Sequence, residues 1–178
     1  CIINDCHGGL SIMSELRTNR IVPRDGLPSG SSGGITQIKW MQLTGSTFTT
    51  QSTSMVDVTN FNLSITPTRS DNKIMVLVNA RVSCTTPNGN DINKRMSINL
   101  LRGSSQIGSQ FFGDYYGGTG GNDLNSYGNI SIHCLDTPAT TSSVTYKIQI
   151  SSDTSGSTAG VGAGSYAQST ITLMEVSG

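Results

Sequence analysis

From Ile35 onward, hydrophobic and polar residues alternate with the two-residue period of half-buried strands, not the 3.6-residue period of helices. The alternation marks eight segments: ITQIKWMQ (35–42), STFTTQ (46–51), NFNLSIT (60–66), KIMVLVNARVS (73–83), RMSINLLR (95–102), SYGNISIHCL (126–135), VTYKIQISS (144–152) and YAQSTITLMEV (166–176). Phe61, Leu63 and Ile65 share one face of their strand, as do Met96, Ile98 and Leu100. The same holds for Ile130, Ile132 and Cys134, and for Val144, Tyr146, Ile148 and Ile150. Segment 73–83 differs, because its first half is apolar on both faces before Ala80 and Val82 continue on one. That pattern predicts a central strand whose leading half is buried on both sides.

Turn chemistry separates the strands. TPTRSDN (66–72) and TPNGND (86–91) are rich in Pro, Asn and Asp, which pre-set or cap tight turns. Gly103-Ser104 predicts a tight hairpin into a short return strand, and Asp136 with Pro138 starts the turn that ATTSS completes. FGDYYGGTGGND (112–123) and TSGSTAGVGAGS (154–165) are too long and Gly-rich for hairpins and are expected to be extended surface loops. The expected fold is an all-β, antiparallel β-sandwich or jelly-roll-like domain of about eight strands over residues 35–178. An extended N-terminal arm and Gly/Ser/Pro-rich linker, residues 1–34, precedes it and ends in PRDGLPSGSSGG. Residue 1 is Cys and Met13 makes a natural start, so residues 1–12 read as an upstream extension.

Composition narrows this further. Ser, Thr, Gly and Asn fill 81 of 178 positions, whereas Ala, Leu, Glu and Lys fill 22, too few to face the helices of a bundle or an α/β enzyme. Eleven basic and eleven acidic residues cancel and lie scattered, so no basic stripe is offered to nucleic acid. No apolar run approaches the ~18 residues of a spanning helix, so no membrane span is expected. Strands so rich in Ser and Thr give a modest core, and such domains gain stability by burying an edge or face against copies of themselves.

Candidate chemistry is sparse. Of two histidines, His133 has the opposite strand parity to Ile132 and Cys134, which turns it toward solvent or a subunit interface; His7 lies in the arm. The carboxylates Asp57, Asp71, Asp91, Asp114, Asp123, Asp136 and Asp153 sit mostly in turns, where they bond local backbone, and form no glycosidase pair. Cys1, Cys6 and His7 lack both zinc spacing and a second half-site. Cys84 and Cys134 read as buried thiols, or as a disulfide if their strands are neighbours. No catalysis, metal or cofactor is therefore expected. A recognition surface remains: Asp114, Tyr115 and Tyr116 between glycines, with Tyr127 nearby, offer rigid aromatic area beside adaptable neighbours. The same tyrosines would also serve to cover the sandwich end or to pack against a neighbouring subunit.

Four stretches in order, SITPTRSDNKIMVLVNARVS (64–83), INLLRGSSQIGSQ (98–110), CLDTPATTSSVTYKIQI (134–150) and STITLMEV (169–176), resemble small β-domains of marine, cyanophage-type bacteriophage virion proteins with a tail-fibre-like domain. The resemblance implies a trimer-forming jelly-roll-like domain displayed on a virion; it supplies no functional residues. The expectation is a host-attachment module, a homotrimer without catalysis. Its arm would meet other virion proteins, and its loops a host surface glycan or protein. The alternative is a capsid decoration (cement or knob) protein on the phage head.

Overall fold

The computed structural model describes residues 34–45, 47–86, 93–115, 124–162 and 168–177. Among them run ten strands and no helix: β1 (Ile35–Gln42), β2 (Phe48–Thr50), β3 (Val56–Ile65), β4 (Lys73–Thr86), β5 (Asn93–Arg102), β6 (Ser105–Tyr115), β7 (Leu124–Asp136), β8 (Val144–Ser152), β9 (Thr158–Val161) and β10 (Thr170–Val176). They form two antiparallel sheets, so the all-β sandwich read from the alternation is what the chain adopts. The arm, residues 1–34, lies outside the described residues except for Gly34.

The four-stranded sheet has the order β3-β8-β5-β6. The six-stranded sheet is built on β4. One edge of β4 pairs with β7 from Ile74 to Thr86. The other edge is shared end to end: β10 takes Lys73 to Asn79 and β9 takes Val82 to Thr85, with β1 outside β10 and β2 outside β9. The seam falls at Arg81, whose backbone would otherwise lose its ladder partners. Its carbonyl accepts from Gly162 N–H at 2.7 Å, and its N–H donates to Ser169 Oγ at 3.1 Å. That buried hydroxyl in turn donates a hydrogen bond to the Gly162 carbonyl at 2.7 Å. One serine side chain thus closes the backbone accounting between two short strands.

Inward residues of both sheets make one core. Ile74, Val76, Val78, Ala80 and Val82 of β4, with Ile171 and Leu173 of β10, face Met96, Ile98 and Leu100 of β5 and Tyr146, Ile148 and Ile150 of β8. Phe61 and Ile65 of β3 and Ile130 and Ile132 of β7 complete it. Each face-sharing set named from the sequence lies inward, with Leu63, Cys134 and Val144 at its half-buried margin.

The ends are tied by polar clusters. Glu175 of β10 is fully buried; Oε1 accepts from Thr68 N–H at 2.7 Å, Thr68 Oγ1 at 2.8 Å and Asn72 Nδ2 at 2.6 Å, and Oε2 from Gln37 Nε2 at 2.6 Å. This pins the β3–β4 connection to the sheet. Elsewhere, Asp136 at the end of β7 accepts from Tyr146 Oη at 2.7 Å and from Arg102 Nη1 at 2.9 Å to each oxygen, joining the two sheets. Burial, then the Asp136 carboxylate, push the Tyr146 phenol far above its ordinary value.

Three expectations are corrected. The 154–165 stretch is not one extended loop, because β9 lies within it and Ala159, Gly160 and Val161 are buried between β4 and β2. Four residues with a central glycine are too short to show a period. The return strand after Gly103 is not short: β6 has 11 residues and runs into the predicted 112–123 loop. Gly103 has φ +58 and Arg102 pairs with Ser105, so a two-residue turn with glycine first sets the register. Lastly, β3 starts at Val56, since a bulge centred on Asn60 at φ +59 keeps both Val58 and Phe61 inward.

Cys84 and Cys134 do sit on neighbouring strands, but Cys134 opposes Val76 and Cys84 opposes Ser126. Eight residues of strand, roughly 26 Å, separate their rungs. The Cα atoms of a disulfide are about 6 Å apart, so these two thiols do not pair.

Candidate functional site

Of the recognition residues read from the sequence, Asp114, Tyr115 and Tyr127 lie on strands. Asp114 and Tyr115 lie in β6, their backbones opposite Lys94 and Asn93 in the four-stranded sheet. Tyr127 lies in β7 of the other sheet, opposite Ser83, and Tyr116 lies outside the described residues. Tyr127 is 61% exposed on the outward face, and the Arg81 guanidinium sits 5.4 Å from its ring centroid, a cation–π contact. Tyr127 thus belongs to the outward face of the six-stranded sheet.

Strand parity sets the rows of that face. One row reads Ile38, Met174, Met75, Leu135 across β1, β10, β4 and β7. The next reads Trp40, Thr172, Leu77, His133, and Ile35 with Val176 extends the apolar area on the far side, beside Lys73. Trp40 is 60% exposed and Leu135 51%; Ile35 and Ile38 are equally open, while Met75, Leu77 and Met174 are half-buried. Continuing along β4 and β7 the face turns polar, through Asn79 with Ser131, Arg81 with Asn129, and Ser83 with Tyr127. Ser131 Oγ donates to Asn79 Oδ1 at 2.6 Å, so the His133 Nε2 that lies 2.7 Å away donates to Ser131. His133 is exposed, as its parity requires, and its ring is spent on a neighbouring serine.

The outer face of the four-stranded sheet is built differently. Asp57 accepts from Lys147 Nζ at 2.6 Å and Gln149 Nε2 at 2.8 Å, which hold its carboxyl below the usual range. Ser64 meets Thr145 at 2.7 Å, and Asp153 takes Ser97 Oγ at 2.8 Å beside Arg95. Phe111 is its exposed large apolar side chain among the described residues. One sheet is dressed for water; the other carries an open apolar field joined to a polar, aromatic one.

Sequence reasoning named Tyr127 but missed Ile38, Trp40, Met75, Leu135 and Arg81 as members of one surface. The signal was present in segment 73–83, apolar on both faces, whose second face the chain leaves half open. Among the described residues, no group of three or more His, Cys, Asp or Glu is placed to hold a metal. No helix among them is long and apolar enough to cross a membrane.

No family model matches the chain, and no curated protein matches it. Among solved structures it is similar to the dimeric latent PorU from Porphyromonas gingivalis, at 9% identity and a TM-score of 0.32. The match covers 85% of this chain and 14% of that one.

Proposed function

We propose that this chain is a non-catalytic structural module of a bacteriophage particle, a homo-oligomeric, tail-fibre-like β-sandwich that takes part in host attachment. What carries the reading is the division of one outward sheet face into an apolar field and a polar one. The apolar field serves assembly: contiguous exposed apolar area of this kind marks interaction sites. The polar field, with Tyr127, Arg81, Asn129 and Ser131, offers an aromatic ring beside amides, hydroxyls and a guanidinium, groups that suit sugar rings of a host surface. The resemblance to phage virion proteins supplies the trimer and the particle.

The test is binding of the purified chain to host cells and to a panel of surface glycans, alongside antibody labelling of the particle. Labelling at the tail and loss of binding on Tyr127→Ala with Arg81→Ala are the expected results. Intact binding by that double variant overturns the assignment of the polar field. A second reading, a capsid decoration protein, is favoured by the breadth of the apolar field across four strands, which fits a shell surface. Label spread in many copies over the head selects it.

A further inference from the structure

We infer that the apolar field of the six-stranded sheet, centred on Ile38, Trp40, Met75, Leu135 and Met174, is the surface on which this chain packs against a second copy of itself. The inference rests on the self-assembling reading given above and names its surface. Four observations converge on it.

The first is the sequence of β4, where Met75 and Leu77, between Lys73 and Asn79, stand outward on the face opposite Ile74, Val76 and Val78. Strands of that composition are buried on both sides. Among the described residues, the chain covers one side only. The second is the contrast between the two sheets, since the four-stranded sheet presents Ser, Thr, Gln and ion pairs where the six-stranded one presents Ile, Trp, Met and Leu. The same chain makes a wettable outer face where it needs one.

The third is charge. The central rows of the field hold no carboxylate, lysine or arginine, and Lys73 stands at one corner. A strongly acidic or basic partner would find no charge in those rows to pair with. A formal net charge of zero removes the repulsion that keeps like chains apart. The fourth is size. Two rows of four residues and a third of three cover roughly 350 Å² of sheet plane at about 4.8 Å between strands and about 6.7 Å between same-face residues. Two such faces together, side chains included, bury roughly 1,000 Å², where specific interfaces begin. Thr172 and His133 are the polar members of the central rows, and His133 already bonds Ser131, so burial against a like face strands few polar groups.

The experiment measures the mass of the full chain by light scattering and sedimentation across a dilution series, for wild type and three variants. Ile38→Asn with Leu135→Asn, and separately Trp40→Ser, alter exposed side chains, so folding is retained; thermal unfolding of each confirms it. Phe111→Asn removes an equally exposed apolar side chain from the other sheet. The expected result is a wild-type mass that is a multiple of the chain and a double variant whose association is weaker by roughly a hundredfold. Trp40→Ser is weakened as well, and Phe111→Asn matches wild type. A wild-type multimer that survives both apolar-field variants overturns the surface while leaving self-assembly standing. A wild-type chain single at every concentration overturns both. Flotation of that single chain with neutral phosphatidylcholine vesicles would assign the field to lipid instead.

Discussion

Glu175 shows how much one side chain decides in a chain this poor in charge. Removing a carboxylate from water opposes ionisation, yet hydrogen bonds from Asn72, Gln37 and Thr68 outweigh burial and bring its pKa down to about 2 from 4.5. A folded-state pKa below the unfolded one stabilises the fold above pH 4.5, and that contribution is lost as pH falls toward about 2. Urea unfolding followed across that interval should therefore show stability falling with acid. In Glu175→Gln one donor faces a donor, and stability at neutral pH should drop by about 2 kcal/mol, with a flatter acid slope. An unchanged slope would place the acid sensitivity in another carboxylate. Nothing in the sequence announced this residue: STITLMEV shows a glutamate of inward parity, which the alternation alone treats as an error. Its partners lie 103 to 138 positions away, beyond the reach of local pattern.

At the scale of elements, what was legible depended on length and period. Each of the eight alternating segments holds a strand, down to the three residues of β2, and β1 and β8 have the boundaries read from sequence. β9 was invisible because its four residues hold a glycine, and β6 read only as a short return strand because Gly108 and the polar Ser109-Gln110 break its alternation. Glycines on β6 and β7 carry different duties there. A Cβ on Gly128 would lie 2.3 Å from the Phe112 ring, which reaches across from β6 to β7, whereas one on Gly108 would lie 3.4 Å from Ile132 and 3.6 Å from Leu100. Gly128→Ala should cost about 1–3 kcal/mol by forcing that ring out, and Gly108→Ala should be nearly neutral. Adding Phe112→Ala to Gly128→Ala should cost less than the two single losses together, a coupling readable in a double-mutant cycle of unfolding. The seam at Arg81 makes a separate prediction. Ser169→Ala deprives the Arg81 N–H and the Gly162 carbonyl of their shared partner, and chemical denaturation should register about 1–3 kcal/mol.

At the scale of the molecule, the candidate site was half legible. Tyr127 was identified by its chemistry, but the surface it belongs to required knowing that β7 lies beside β4 and that β1 and β10 lie beyond. Register, not local sequence, puts Trp40 and Leu135 on one face. That placement gives the molecule a built-in reporter, since Trp40 is its one tryptophan and stands in the apolar field rather than in the core. If copies meet there, the indole moves from water to hydrocarbon on association, and its emission should shift to shorter wavelength as the protein is concentrated. The field's want of charge then fixes how salt acts. Screening by sodium chloride removes little from a contact with no ion pairs, whereas sulfate, excluded from protein surface, strengthens apolar burial. The midpoint of the Trp40 shift should therefore move to lower protein concentration in sodium sulfate and stay nearly fixed in sodium chloride. Equal weakening by both salts would mean that charged groups, such as Lys73 or Arg81, govern the association and that the apolar rows do not.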